Sequence, residues 1–102
     1  MEEIVSDVFI QYKSGFIAGK EKIVEFTRLG VPLDLHKEED GMSLWYRFGY
    51  EDATTYFSEA LFEGKDILTI RVSSIIKDLF VNRVLLFNKE TGREISMGSF
   101  HF

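Results

Sequence analysis

The stretch Tyr12-Lys13-Ser14-Gly15-Phe16 is echoed 34 residues later by Tyr46-Arg47-Phe48-Gly49-Tyr50. Each stretch holds a tyrosine, a basic residue, a glycine and a second aromatic residue in the same order. Each also places another small residue four positions after its glycine, at Gly19 and at Ala53. Residues four positions apart lie on the same face of a helix. Each stretch therefore predicts a helix face with a shallow notch bordered by aromatic rings.

The first notch lies within a long amphipathic pattern. Apolar or small residues recur at three- or four-residue spacing, as one helix face requires: Val5, Phe9, Tyr12, Phe16, Gly19, Ile23 and Phe26. Acidic residues at the start and Arg28 near the end suit the helix dipole. Gly30, with Pro32 just beyond it, is a typical stop signal. The pattern predicts a first helix over about 2–29.

The second notch predicts a second helix over about 43–62, which Gly64 ends. One face of this helix carries the small residues, and aromatic residues widen it. A glycine inside a helix costs about 0.5–1 kcal/mol relative to alanine, so three interior glycines need a physical reason. We expect the two helices to cross at Gly15/Gly19 and Gly49/Ala53, as an antiparallel or steeply crossed pair.

In the last third of the chain the spacing of the apolar residues changes from helical to alternating. The β-branched, alternating run 67–73 predicts a strand, and 74–80 predicts a short helix. Two further strands are predicted over 83–88 and 93–98, joined by a hairpin in which Gly92 adopts a left-handed conformation. The sequence thus predicts a single α+β domain over 1–102, with two helices packed on a sheet of about three strands.

Composition fits one compact domain of 102 residues with 45% hydrophobic and 28% charged residues. Ten Phe, four Tyr and one Trp indicate either a core built from rings or an aromatic surface for a partner, and we favour the core. The absence of cysteine excludes disulfides and thiol catalysis. With no signal-peptide pattern and no apolar run of about 20 residues, we expect a cytoplasmic protein without membrane contact.

Charge argues against direct nucleic-acid binding. The net charge is −5, and residues 1–66 carry the acidic excess, with 14 acidic and 7 basic side chains, whereas a nucleic-acid binder normally carries a basic stripe. An acidic module directed at a basic protein surface is one interpretation. Solubility alone is the other.

The chain offers few groups for catalysis. Its two histidines, His36 and His101, lie in an acidic loop and next to the carboxyl end, without a nucleophile at a recognised spacing. The segment 15–20 differs from a phosphate-binding loop in spacing and in its helical context. Asp52 lies beside the second notch and needs a partner such as Lys13, Lys20 or Arg47 if it is buried, although surface exposure is the expected outcome. We therefore predict no enzymatic activity, no metal and no cofactor.

The segment Phe48-Gly49-Tyr50-Glu51-Asp52-Ala53 resembles helices common in small phage and prophage proteins, which implies a mobile-element origin. Small size and abundant Tyr and Trp favour a protein-binding module, for instance an inhibitor of a host protein. The predicted contact residues are the following: Trp45, Tyr46, Tyr50, Glu38, Glu39 and Asp40. The alternative is a small-ligand-binding or toxin-neutralising domain with a pocket between sheet and helices. A homodimer through the same notch stays open.

Overall fold

A computed structural model describes residues 5–29, 43–93 and 95 of the chain. These residues form three α-helices: α1 (Val5–Leu29), α2 (Leu44–Phe62) and α3 (Val72–Thr91). A single 3-10 turn (Ile67–Thr69) lies between α2 and α3. The described residues contain no β-strand.

The predictions of the first two helices are confirmed over the described residues, and α2 has nearly the predicted bounds. Ser43 begins α2 as its N-cap, because its side-chain oxygen accepts a hydrogen bond from the Tyr46 amide at 3.1 Å. Gly64 ends it with a left-handed φ of 79°. The Lys65 amide then donates to the Ala60 carbonyl at 2.9 Å, which satisfies a carbonyl of the last turn.

The predicted C-terminal sheet is wrong, and the fold of the described residues is all-helical instead of α+β. Residues 67–73 form the 3-10 turn and the start of α3, and residues 83–88 lie inside α3. The predicted short helix 74–80 is the first part of the same helix. In the third predicted strand, 93–98, Arg93 and Ile95 are not in a strand, and the other residues lie outside the described ranges.

The physical reason lies in the spacing of the buried residues of α3. The side chains that α3 buries are three or four positions apart, which is the helical period: Ile76, Phe80, Val84 and Phe87. β-branched residues in short runs are a weak local preference that such packing overrides. Gly92 does adopt the predicted left-handed conformation, with φ 71°, but it caps α3 and is not part of a hairpin.

The predicted crossing of α1 and α2 at their small residues is confirmed. A Cβ atom added at Gly15 would overlap the Tyr46 carbonyl oxygen, and its distance to the carbonyl carbon would be 2.7 Å. One added at Gly49 would overlap the Tyr12 carbonyl oxygen and lie 2.8 Å from the Phe16 amide nitrogen. The two backbones are therefore in direct contact, and neither position has room for a side chain.

The two helices run parallel, so the antiparallel arrangement is wrong. Gly15 lies against Tyr46 and Gly19 lies against Tyr50, so the contacts advance in the same direction along both helices. Because Tyr46 lies at the level of Gly15, the ends Leu29 and Ser43 are about 17 residues of helix rise apart, roughly 25 Å at 1.5 Å per residue. The 13 residues between them could span up to roughly 45 Å when extended, which permits the parallel arrangement.

The third helix runs antiparallel to the other two and contacts them through aromatic rings. The Phe80 ring lies 4.9 Å from the Phe9 ring and 5.4 Å from the Tyr12 ring, centroid to centroid. Further along α3, the Phe87 ring lies 5.2 Å from the Trp45 ring at the start of α2. The described buried residues form one hydrophobic cluster to which all three helices contribute.

We predict that Gly15→Ala and Gly49→Ala each destabilise the protein, although glycine to alanine normally stabilises a helix interior by about 0.5–1 kcal/mol. The added methyl group meets backbone that cannot move aside, and overpacking of this kind costs about 1–3 kcal/mol. Chemical denaturation measures the free energy of unfolding. Ser14→Ala, an exposed neighbour on α1, is the control and should change stability little. A stabilising effect of either glycine substitution would contradict the crossing.

Candidate functional site

Trp45, predicted to contact a partner, is buried in the core. Only 2% of its surface is exposed. Its ring centroid lies 5.2 Å from that of Phe48 and 5.9 Å from that of Phe80. In this structure Trp45 therefore holds α2 and α3 together and does not offer its ring to a partner.

Tyr46 and Tyr50 are half-buried on α2. Their backbones contact Gly15 and Gly19 of α1, so both residues belong to the helix crossing. The predicted acidic contact residues Glu38, Glu39 and Asp40 lie outside the described residues. The structure thus places Tyr46 and Tyr50 at the crossing and buries Trp45 in the core.

Three polar side chains, one from each helix, form a cluster beside the crossing. The Tyr12 hydroxyl of α1 donates a hydrogen bond to Asp52 Oδ2 of α2 at 2.6 Å. Arg83 of α3 donates from Nε to the same oxygen at 3.2 Å and from Nη2 to Asp52 Oδ1. The carboxylate therefore accepts one hydrogen bond from a phenol and two from a guanidinium. Two parallel hydrogen bonds make an arginine–carboxylate pair strong.

Burial and charge shift the protonation of this cluster. Burial of Tyr12, followed by the hydrogen bond to Asp52 and the charge of Asp52, raises the pKa of the phenol well above its ordinary value of 10.0. Burial lowers the pKa of Arg83 because it disfavours the charged form. The hydrogen bond to Asp52 and the charge of Asp52 outweigh burial, so the pKa of the guanidinium is raised. Tyr12 therefore stays neutral and Arg83 stays charged at neutral pH.

The surroundings of Arg83 complete the cluster. Its guanidinium carbon lies 4.4 Å from the centroid of the Phe48 ring, a cation–π contact. Glu51 Oε2 lies 3.9 Å from Nη2 at the exposed edge. The side chains of Arg83 and Asp52 are 22% and 20% exposed. The cluster therefore ties the three helices together through one carboxylate.

The sequence pointed to Asp52 but not to its partner. The expected surface exposure of Asp52 is wrong, and the expected basic partners Lys13, Lys20 and Arg47 do not form the pair. Arg83 does, from a segment predicted to be a strand. The available signal was helical spacing: Arg83 lies three residues after Phe80 and so shares its face of α3.

Two adjoining grooves lie along the C-terminal half of α1 and are open to solvent. The first has a volume of about 500 Å³ and an apolar floor of Ile17, Val24 and Val72. Its charged rim consists of Lys20, Glu21, Glu25 and Arg28. It runs beside the start of α3, because Val72 is the first residue of that helix.

The second groove, of about 320 Å³, lies between the ends of α1 and α2 and the 3-10 turn. Its lining residues are Val24, Thr27, Arg28, Leu61, Lys65, Asp66, Ile67 and Leu68. Val24 and Arg28 line both grooves, so the two form one continuous surface. We call it the α1 groove surface. Ile17 and Leu68, at its two ends, are 39% and 69% exposed.

The described residues offer little else for chemistry. No group of three or more His, Cys, Asp or Glu side chains within 5–29, 43–93 and 95 is placed to hold a metal ion. Both histidines lie outside these ranges. Among the helices of the described part, none is long and apolar enough to cross a bilayer.

Comparison with known proteins adds no relative. No protein-family model, curated protein or solved structure matches this chain.

We predict that Tyr12→Phe lowers the free energy of unfolding at neutral pH by about 1.5–3 kcal/mol, the range for a lost hydrogen bond to a charged group. Tyr46→Phe is the matched control, since this half-buried tyrosine lies outside the cluster. Equal losses in the two variants would contradict the assignment of the hydrogen bond.

The same phenol predicts a loss of stability in alkali. Unfolded tyrosine loses its proton near pH 10, whereas the raised pKa of Tyr12 keeps the folded form protonated. The folded state then binds more protons, so this contribution is fully present below about pH 10 and is lost as the pH rises further. Denaturation between pH 8 and 11 should show a smaller alkaline decline in Tyr12→Phe than in the wild-type chain. Parallel declines would contradict the burial of a neutral phenol.

Proposed function

We propose that this chain is a small, non-enzymatic protein-binding module that contacts its partner through the α1 groove surface. The observation that carries the proposal is the exposure of Ile17 and Leu68 at the ends of two continuous grooves. Contiguous apolar surface rimmed by polar groups is typical of protein interaction sites. An apolar centre with a charged rim is also the usual anatomy of an interface.

The shape of the surface favours a protein over a small ligand. Small-ligand sites bury most of the ligand in a concave pocket, whereas both grooves are only partly enclosed. The alternative ligand pocket, between helices and sheet, has no counterpart because the described residues form no sheet. A ligand in the second groove, whose 320 Å³ is near the lower end for such pockets, is the competing outcome of the experiment below.

The class of partner follows from charge. With a net charge of −5, the chain suits a protein with a basic surface, because complementary potentials steer association. The likeness of 48–53 to helices of phage and prophage proteins supports a mobile-element inhibitor of a host protein. The absence of cysteine fits a reducing cytoplasm. The proposed site replaces Trp45 as the main apolar contact.

We predict that a photo-crosslinking residue at position 17 or 68 captures a protein partner in the native host, identified by mass spectrometry. The same residue at position 85 is the control, because Leu85 on α3 is 60% exposed but lines neither groove. The expected result is one protein captured from 17 and 68 and not from 85. Equal capture from all three positions, or a co-purified small molecule without a protein, would overturn the proposal.

A further inference from the structure

We infer that the partner presents an amphipathic helix with basic residues, which lies along the first groove parallel to the axis of α1. This inference rests on the proposed function and specifies the partner's contact element. It follows from the shape of the groove and from two of its charges.

The shape of the groove suits a helix. Its floor is a line of apolar residues two helical turns apart on α1, Ile17 and Val24, widened by Val72 of α3. From Ile17 to Arg28 the lining extends over roughly 16 Å at 1.5 Å per residue, about three turns of a docked helix. A helix in such a groove inserts apolar anchors at three-, four- and seven-residue spacing. A peptide that binds by adding a β-strand would need the edge of a sheet, and the described residues have no strand.

The charges of the groove favour a basic helix. Glu21 and Glu25 are four positions apart on α1, so their carboxylates repel each other. Glu25 also lies near the negative end of the α1 dipole, an unfavourable place for an acid. Neither residue has an ion-pair partner among the described residues. Lysine or arginine on a partner would relieve both effects.

The cations of the same groove are better accommodated within the fold. The Lys20 ammonium lies 5.6 Å from the centroid of the Phe57 ring, a cation–π contact. Arg28 is in the last turn of α1, where the helix dipole stabilises a positive charge. The two carboxylates are therefore the charges that gain most from a partner, and a helix with basic residues four apart can meet both.

The test uses two synthetic helical peptides of about 18 residues, long enough to form helix in solution. Both carry leucine at groove-facing positions; one carries lysine and the other glutamate at the flanking positions. Fluorescence anisotropy measures their dissociation constants with the intact chain. We expect the basic peptide to bind at least tenfold more tightly at low salt, with the difference shrinking as salt screens the charges.

Charge-reversal variants show whether the peptide preference comes from the groove residues or from the net charge of the chain. Glu21→Lys with Glu25→Lys should reverse the preference to the acidic peptide. Glu59→Lys with Glu90→Lys makes the same charge change at exposed positions that line neither groove and should keep the basic preference. Ile17→Asp, at a partly exposed position outside the core cluster, should weaken both peptides at least tenfold.

Three results would overturn the inference. Equal binding of the two peptides would exclude the basic helix, and reversal by Glu59→Lys with Glu90→Lys would show attraction by net charge alone. Binding unaffected by Ile17→Asp would place the peptide elsewhere. Capture of a protein through positions 17 and 68 would in each case leave the proposed function standing, so the two claims fail separately.

Discussion

The contact between the α1 and α2 backbones is the constraint on which the rest of the fold depends. Gly15 faces the carbonyl of Tyr46, and Gly49 faces the carbonyl of Tyr12. On each helix the contacting tyrosine lies three positions before that helix's own glycine. Close approach of this kind allows Cα–H···O contacts, which contribute about 0.5–1 kcal/mol each. This reciprocal contact between parallel helices demands the same residue types at the same register on both. The sequence repeat therefore follows from packing and does not require a duplicated segment.

The close crossing also creates the place where α3 attaches. The Tyr12 carbonyl lies against Gly49 at the crossing, and the Tyr12 hydroxyl donates a hydrogen bond to Asp52. Asp52 follows Gly49 by three residues on α2. The close approach of the two helices brings this phenol within 2.6 Å of the carboxylate. Arg83 then joins α3 to the pair. Breaking a buried ion pair by removing one partner is costly, which makes this tie a means of fixing the position of α3 in an otherwise apolar contact.

The sequence predicted the first half of the fold better than the second. Glycines inside a strong helical period leave few arrangements other than close packing, so α1, α2 and their crossing could be foreseen. Orientation could not, because a connection of 13 residues permits either direction. The segment 83–88 resembles one strand of a hairpin because turn residues follow it at 88–92, but the regular spacing from Ile76 to Phe87 continues a helix through it. The predicted strand also hid Arg83, and the burial of Trp45 depends on α3 covering it.

The helix crossing and the proposed binding surface lie mainly along different halves of α1. The crossing and the aromatic contacts with Phe80 involve residues from Phe9 to Gly19, whereas the grooves extend from Ile17 to Arg28, beside the buried core residue Ile23. Because one continuous helix joins the halves, clamping the first half fixes the position of the second. A partner at the proposed surface would meet residues already ordered, and its association would cost less conformational entropy than the ordering of a free helix. Under this proposal the glycine contact contributes to binding through rigidity, at residues outside the proposed surface.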